Sequence, residues 1–316
     1  MRDAMASRQN IKLDHMNDGL KDAVLAALDK EAAIALAPGL YVVATPIGNL
    51  SDMTLRALSV LERADLVCCE DTRHSLKLMH HYRLTARLAP YHEHNAARER
   101  PKLLKMLAEG ARIALISDAG TPLISDPGYR LVRDAGTQGS AVFTVPGPSA
   151  VIAGLAVSGL PTDSFFFAGF LPPREAATKR RLEELAEIPG TLVFFETANR
   201  LAKSLAAFGT VFAGRELVIA RELTKRFEEV LRVRLPADAP PEREWRGEFV
   251  LLVSPPLERA TDEQELREAI REAMQRASLR DAVEEVRRTL RVPRKQAYDI
   301  ALEYQRSMPR ESDQQE

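Results

Sequence analysis

Short apolar segments alternate with helical ones through the first half of the chain, and this alternation constrains the fold more than any other feature. Four of the apolar segments are Leu40–Ala44, Asp65–Glu70, Ala111–Ile116 and Ala141–Val145. Each is followed by residues with helical spacing, and the strands recur at intervals of about 30 residues, which is typical of βαβ units. We therefore predict an α/β domain with a largely parallel sheet over residues 39–156.

Loops rich in glycine, proline and small polar residues follow the predicted strands. The longest, Ser117–Gly128, contains two glycines and two prolines. It could be a purely structural turn, but Thr45–Leu50 and Pro146–Ala150 have the same character and follow two other strands. Because open α/β sheets bind ligands at the carboxyl ends of their strands, we interpret these loops as walls of one pocket. Ser51 or Asp52 is expected to cap the helix after the first loop.

The pattern changes after Gly159, where strands become more frequent and helices fewer. We predict a second α/β domain with a mixed sheet over residues 157–257, and a ligand in the cleft between the two domains. Residues 261–305 are predicted to form a small helical unit. Its segment from 276 to 295 has seven Lys or Arg and three Asp or Glu residues, which suits either a nucleic-acid contact or a solvated charged face. Residues 1–38 are expected to be a partly disordered extension, and residues 306–316 to be disordered.

Several functional classes are excluded by motifs that the sequence lacks. The first strand is not followed by G-x-G-x-x-G, and neither the phosphate-binding G-x-x-x-x-G-K-[ST] pattern nor a G-x-S-x-G elbow occurs. The histidines at His92 and His94 have no cysteine partner, so no metal site is expected. The net charge of −1 gives no global attraction to nucleic acid or membranes. No apolar run reaches the roughly 18 residues of a membrane span, so none is predicted.

The adjacent cysteines Cys68 and Cys69 lie in the second predicted strand. Neighbours on a strand point to opposite faces, which suits neither a disulfide nor a zinc site. We interpret them as small buried hydrophobic residues of a cytoplasmic protein.

The strand ends then offer backbone amides, hydroxyls and small residues. Such a pocket suits an uncharged or zwitterionic cofactor with an adenosine head, held by main-chain contacts.

Five segments, in this order, resemble the small-subunit ribosomal RNA 2′-O-methyltransferases of the tetrapyrrole-methylase-like class. The similarity extends from Leu40 to Ser254, and the basic helical tail is also similar to the family's C-terminal unit. The segments are Thr45–Leu50, Cys69–Arg73, Ser117–Gly128, Pro146–Ala150 with Ser158–Pro161, and Arg221–Lys225.

The resemblance implies a fold, an activity and partners. The fold is the two-domain tetrapyrrole-methylase-like α/β fold (class III methyltransferase) with a small helical C-terminal unit, usually as a homodimer. The implied activity is methylation of a cytidine ribose 2′-OH in 16S rRNA, in the decoding region of the small ribosomal subunit. The implied methyl donor is S-adenosylmethionine, bound between the two domains. RNA rather than DNA is the expected substrate because the reaction needs a 2′-OH.

The chemistry of methyl transfer to a weakly nucleophilic hydroxyl suggests catalytic residues, and the resemblance implies binding residues. Lys225 is the candidate for steering or alkoxide stabilisation, with Glu222 or Asp71 as base or orienting group. The structural alternative for each acid is a salt bridge or a helix cap. The segments implied to face the RNA are Glu70–Arg73 and Arg221–Lys225. The residues predicted to contact the RNA are Asn49, Glu70, Arg73, His94 and Asn95. The residues implied to contact the donor are Pro46, Asp118, Gly120, Thr121, Ile124, Ser149, Ala150, Phe195, Leu223 and Phe249.

The chain departs from the family's pattern at three places. The usual Tyr-Glu-x-Pro-x-Arg is Phe-Glu-Thr-Ala-Asn-Arg at 195–200, the usual His-Asn-Glu ends in Ala96, and a usually glycine-rich segment is Val230–Arg234. These departures affect substrate details rather than the donor loops. Two other functions stay open at this stage: a C-methyltransferase acting on a tetrapyrrole, and a non-catalytic ribosome-binding factor with a vestigial pocket.

Overall fold

The computed structural model describes residues 18–236, 244–256, 263–290 and 292–307. Its contacts divide these residues into two compact units. One holds residues 18–185 and the described part of 190–254, and the other holds residues 186–189 and the described residues after 254. Both α/β halves therefore lie in the first unit, and the boundary between domains at 156/157 stays a prediction. Residues 1–17 of the expected N-terminal extension, and the expected disorder beyond residue 307, lie outside the described residues.

The first half of the large unit contains a parallel five-stranded sheet, as predicted. The strand order is β3-β2-β4-β1-β5, and every neighbouring pair runs parallel. The strands are β1 (Gly39–Val43), β2 (Leu66–Cys69), β3 (Leu88–Pro90), β4 (Arg112–Leu115) and β5 (Val142–Val145). The helices are α1 (Asp18–Ala33), α2 (Leu55–Arg63), α3 (Thr72–Tyr82), α4 (Glu93–Ala108), α5 (Tyr129–Thr137) and α6 (Ala150–Ser158).

The central strands of this sheet are buried on both faces. On β1, Tyr41 and Val43 pack into one core cluster with residues of α2 and α3. Leu40 packs into a second cluster with residues of α4 and α5. Successive side chains of a strand point to opposite faces, so both clusters draw on the same short apolar strand. Because all neighbouring strands run parallel, their carboxyl ends lie at one edge of this buried sheet.

The helix that follows the first loop is not capped as expected. Leu50–Asp52 forms a short 3-10 turn, and the Asn49 side chain accepts a hydrogen bond from the Ser51 amide. The cap of α2 is Thr54, whose hydroxyl accepts from the Ala57 amide. The expectation that Ser51 or Asp52 caps this helix was wrong because those residues are used in the preceding turn.

The second half of the large unit contains a mixed sheet, again as predicted. The order is β6-β7-β10-β8-β9, with β6 and β7 parallel and the other pairs antiparallel. The elements are β6 (Phe165–Phe170), α7 (Glu175–Leu185), β7 (Thr191–Thr197), α8 (Ala198–Val211), β8 (Glu216–Arg221), β9 (Glu229–Arg234) and β10 (Glu248–Val253).

The small unit consists of three described helices, α9 (Glu263–Met274), α10 (Leu279–Leu290) and α11 (Arg294–Ser307). They share an apolar core that includes Leu266, Ile270, Val283 and Val286. This confirms the α/β class with a small helical C-terminal unit. Several of the tail's basic residues form ion pairs within the unit, for example Arg276 with Glu285 at 2.6 Å, so its contact with nucleic acid stays a prediction. No helix in the described residues is long and apolar enough to cross a membrane.

Candidate functional site

Three of the predicted binding loops are joined to one another by hydrogen bonds. Thr45 and Gly120 exchange both backbone hydrogen bonds, at 2.9 and 3.0 Å, in an isolated antiparallel bridge. The Thr45 hydroxyl also donates to the Ser117 carbonyl at 3.2 Å, and the Thr121 hydroxyl donates to the Pro148 carbonyl at 3.1 Å. The loops after β1, β4 and β5 therefore form one wall, as their position at the sheet edge predicts.

This wall faces the second half of the unit across a cavity of about 260 Å³. Ile47, from the loop after β1, is buried in the core cluster of the second half with Val193 and Val218. That contact holds the two halves together beside the cavity. The lining residues are Ile47, Asp118–Thr121, Ile124–Asp126, Ser149, Ala150, Phe170, Phe195–Thr197, Ala220, Glu222, Leu223, Lys225 and Glu248–Val250.

Most of the residues expected to contact a cofactor line this cavity. Pro46 is the exception: it is buried but is not part of the lining. The nine that line it are Asp118, Gly120, Thr121, Ile124, Ser149, Ala150, Phe195, Leu223 and Phe249. The structure brings these residues together, and their contacts with a cofactor stay predictions.

A cationic group lies at the second-half side of the cavity. Lys225 Nζ donates to Glu222 Oε1 at 2.9 Å and to Glu248 Oε2 at 2.7 Å. Burial disfavours the charged ammonium, but the hydrogen bonds to the two carboxylates outweigh it and raise the pKa of Lys225. Burial acts against the Glu222 carboxylate too, yet the hydrogen bonds from Lys225 and the Glu248 amide lower its pKa. The pair is therefore a stable ion pair with a protonated lysine.

Two glycines allow this ion pair to form. A Cβ on Gly48 would lie 2.5 Å from Lys225 Cγ. The aliphatic part of the lysine side chain therefore packs against the first loop at a position where any residue with a Cβ would clash with it. A Cβ on Gly247 would lie 2.5 Å from Glu222 Cδ, and Gly247 has φ of +96°. Glycine adopts this backbone conformation without the steric cost that other residues incur. These glycines position Lys225 and Glu222 from opposite sides.

Carboxyl groups line the first-half side of the cavity. Burial, together with the nearby Glu70 carboxylate, raises the pKa of Asp126 from 3.8 to about 6, although a hydrogen bond from Ser117 opposes the shift. Burial and the neighbouring Asp118 also raise the pKa of Glu70. Asp118 Oδ1 accepts a hydrogen bond from the Asp71 amide at 3.2 Å, which ties the loop after β2 to this wall. The result is an acidic side opposite the lysine.

The third catalytic candidate, Asp71, does not line the cavity. It caps α3 by accepting from the Arg73 amide at 2.8 Å, and it pairs with the Arg73 guanidinium at 2.7 Å. The hydrogen bonds from Arg73 lower the pKa of Asp71 to about 2. Helix capping and a salt bridge, the structural alternatives for this acid, are therefore both present. Its catalytic role stays a prediction.

The residues expected to contact RNA differ in exposure. Asn49, Arg73 and His94 are exposed, whereas Glu70 is half-buried. Asn95 is buried: its side-chain oxygen accepts from the His92 amide at 2.9 Å and its amide nitrogen donates to the Pro90 carbonyl at 2.9 Å. The amide of Asn95 thus holds the start of α4. All five RNA contacts stay predictions.

Some lining residues were not expected from the sequence. Phe170, at the end of β6, lies edge-on to Phe195 with ring centroids 5.6 Å apart. An aromatic residue where a strand meets a Leu-Pro-Pro segment is a signal that could have indicated it. Glu248 lies in the Glu248–Phe249 region that the resemblance implied beside the donor, and it does line the cavity. Asp126 was missed because the residues around it come from distant segments. No group of three His, Cys, Asp or Glu side chains in the described part of the chain could hold a metal ion.

Comparison with known proteins shows which family has these features. The family model for tetrapyrrole (corrin/porphyrin) methylases matches residues 39–237. A ribosomal RNA small subunit methyltransferase I from Erythrobacter litoralis is 47% identical over 279 residues, which covers 86% of this chain and 97% of that protein. One from Mesorhizobium japonicum is 48% identical over 229 residues, covering 70% of this chain and 76% of the relative.

Solved structures agree on the fold. The methyltransferase CobJ is similar with a TM-score of 0.52 and 20% identity, over 71% of this chain and 97% of its own. The cobalt precorrin-4 methyltransferase CbiF gives a TM-score of 0.52 and 19% identity, over 68% of this chain and 94% of its own. The expected tetrapyrrole-methylase-like fold is thereby confirmed. At this level of identity the likeness concerns the fold alone.

Proposed function

The chain belongs to the ribosomal RNA small subunit methyltransferase I family of the tetrapyrrole methylases, and we propose that it methylates the ribose 2′-OH of a cytidine in 16S rRNA. It is an S-adenosylmethionine-dependent rRNA methyltransferase, in keeping with relatives 40–48% identical to it. The observation that carries the proposal is the convergence of the family's loops on one cavity with a protonated lysine at its side.

The cavity suits the methyl donor in polarity and charge. Its first wall is backbone and small side chains from Gly120, Thr121, Ser149 and Ala150, which suits main-chain contacts to an adenosine head. Phe195, on the facing wall, offers an aromatic surface. Carboxylates such as Asp118 favour the positive charge of a sulfonium. When bound, S-adenosylmethionine supplies an electrophilic methyl group.

Lys225 is proposed to stabilise the negative charge that develops on the ribose oxygen as its proton passes to solvent water. A 2′-OH is a weak nucleophile, so a fixed cation near the oxygen lowers the cost of developing negative charge. The raised pKa of Lys225 keeps the ammonium charged at neutral pH. Glu222 is proposed as the orienting group rather than the base, because its Oε1 already accepts from Lys225 and from the Glu248 amide. Its lowered pKa makes it a weak proton acceptor.

A homodimer in the cytoplasm is proposed as the working form. Edge strand β6 exposes Phe165 and Phe166, at 44% and 37% of their surface. The other sheet's edge strand, β5, exposes Val142. Apolar residues on open edges favour coverage by another surface, and a second copy of the chain would provide it. The two buried free cysteines are compatible with a reducing compartment.

Methyl transfer from tritiated S-adenosylmethionine tests the proposal. Small ribosomal subunits and protein-free 16S rRNA, both lacking the modification, serve as substrates, followed by mapping of 2′-O-methyl positions. We expect label at one cytidine ribose. Methylation of a tetrapyrrole in place of RNA would contradict the proposal.

Lys225→Met tests the role of the lysine. We expect turnover to fall about 10²- to 10³-fold, as for loss of one oxyanion-stabilising donor, while calorimetry shows that the donor still binds. Lys102→Met is the matched control, because Lys102 also forms a 2.9 Å ion pair, with Glu99 on α4, away from the cavity. Full turnover by Lys225→Met would remove the lysine from the reaction.

A further inference from the structure

The loop between β8 and β9 carries a large apolar side chain into solvent. Phe227 is 64% exposed. The guanidinium carbon of its neighbour, Arg226, lies 5.7 Å from the centre of the Phe227 ring. An aromatic ring beside a guanidinium is a surface on which an unpaired nucleic-acid base can stack. Burying such a ring would be favourable, so its exposure on an ordered loop requires an explanation.

The loop is held in place by its own hydrogen bonds. Strands β8 and β9 are paired up to Arg221 and Glu229, so the connection has seven residues. Within it the Lys225 amide donates to the Glu222 carbonyl at 3.0 Å, and the Glu228 amide donates to the Lys225 carbonyl at 3.1 Å. The Thr224 amide donates to the Glu228 carboxylate at 2.6 Å. These hydrogen bonds hold the backbone around Phe227 in a defined conformation.

Part of this backbone is strained. Glu222 has φ of +48° and Thr224 has φ of +64°, which residues with a Cβ rarely adopt. The buried Thr224 hydroxyl has no hydrogen-bond partner within the described residues. Strain of this kind persists where the surrounding structure enforces it, and it concentrates at functional sites. Here both strained residues lie within the three positions before Lys225, so the strained backbone supports the segment that carries the lysine and the ring.

Phe227 is not part of the cavity lining, but it follows the lining residue Lys225 by two positions. Two residues of chain span at most about 7 Å, so Phe227 lies within about one nucleotide's length of the lysine. A nucleotide whose ribose reaches Lys225 would place its neighbour in the strand over the loop. The seven-residue connection thus carries both a group for the reacting ribose and a flat apolar surface for the adjacent base.

We propose that Phe227, flanked by Arg226, is a stacking platform for the base next to the methylated nucleotide. The platform selects for an unpaired RNA strand, because a base inside a duplex has no free face to stack. The inference rests on the proposed function and deepens it, since it concerns how the same site recognises RNA. The alternative occupant of the ring, a second copy of this chain, is distinguished by the experiment.

The experiment compares three variants in methyl transfer to small ribosomal subunits. Phe227→Ala removes the ring, Phe227→Trp keeps an aromatic face, and Tyr129→Ala is the matched control. Tyr129 is 65% exposed and has the Arg133 guanidinium 5.9 Å from its ring centre, but it lies outside the cavity lining. Substrate KM, kcat at saturating subunits, donor affinity and sedimentation mass are measured for each.

Loss of a stacking base predicts a rise in KM for subunits of about 5- to 100-fold in Phe227→Ala. We expect kcat and donor affinity to be unchanged, Phe227→Trp to restore KM, and Tyr129→Ala to match the unaltered enzyme. An unchanged KM in Phe227→Ala would overturn the inference, as would an equal rise in Tyr129→Ala. A fall in sedimentation mass in Phe227→Ala would assign the ring to a subunit interface instead. Failure of the unaltered enzyme to methylate subunits would contradict the proposed function itself.

Discussion

Asp126 makes the stability of the large unit depend on pH in a direction opposite to most carboxyl groups. Its pKa is raised from 3.8 to about 6, first by burial and then by the Glu70 carboxylate. The folded state therefore holds the proton more tightly than the unfolded chain does. The associated stability is fully present below about pH 4 and is lost as the pH rises through about 6.

The magnitude follows from the pKa difference. A pKa difference of one unit corresponds to 1.36 kcal/mol, so the shift from 3.8 to about 6 corresponds to about 3 kcal/mol of unfolding free energy. Asp126 is only half-buried, so solvent screening reduces this to about 1–1.5 kcal/mol. Asp126→Asn keeps the shape and cannot ionise. We expect the variant to equal the unaltered protein near pH 4 and to exceed its free energy of unfolding by that amount near pH 7.5.

Urea unfolding at a series of pH values measures the effect. The chain has one tryptophan, Trp245, whose fluorescence reports on the large unit. Asp65→Asn is a control of opposite sign, because hydrogen bonds from Arg112 lower the pKa of Asp65. Its free energy of unfolding should be lower than that of the unaltered protein at neutral pH, and the difference should disappear in acid. A difference between Asp126→Asn and the unaltered protein that stays constant from pH 4 to 7.5 would refute the reasoning.

Two further predictions concern backbone fit and thiol burial. Gly247→Ala should destabilise the protein by about 1–3 kcal/mol more than Gly110→Ala and lower kcat more than donor affinity. Both glycines have positive φ, but only a Cβ at Gly247 would meet another group, the Glu222 carboxyl, whereas a Cβ at Gly110 would meet nothing within 4 Å. Equal losses of unfolding free energy in the two variants would contradict this prediction. Burial raises the pKa of Cys68 to about 12. A disulfide reagent at pH 8 should therefore label the two thiols only when urea has unfolded the protein. Rapid labelling of the native protein would contradict this, because it would show that the strand opens.

The fold and one wall of the cavity could be predicted because their signals are local. The strands of the first sheet are continuous apolar segments, and each is followed directly by its loop, so strand ends and binding loops appear together in the sequence. A parallel sheet then places those loops at one edge whatever the strand order. The buried cysteines, Cys68 and Cys69, follow from the same logic and are confirmed as free and buried.

The second wall was less predictable because it depends on strand pairing between distant segments. Glu248 reaches Lys225 only since β10 pairs antiparallel with β8, with Phe249 opposite Arg221. No pattern near residue 248 reveals that register. Asp126 is similar, because its pKa is raised first by burial in the folded protein and then by Glu70, which lies more than fifty residues earlier in the chain. Asp71 shows the converse, since its position before a helix was enough to indicate a cap.

Enzymes of this fold that use the same methyl donor can differ in substrate only through residues other than those that bind the donor. The chain shares its fold with CbiF, a cobalt precorrin-4 methyltransferase, at 19% identity, so the fold alone does not select RNA. The cavity wall formed by the loops after β1, β4 and β5 offers mainly backbone and small side chains, which have little capacity to distinguish acceptors. The seven-residue loop after β8 differs in kind: it carries a charged group, a strained backbone and an exposed ring. We therefore expect acceptor choice to depend on this loop, so that a change there should alter the acceptor while leaving the donor bound.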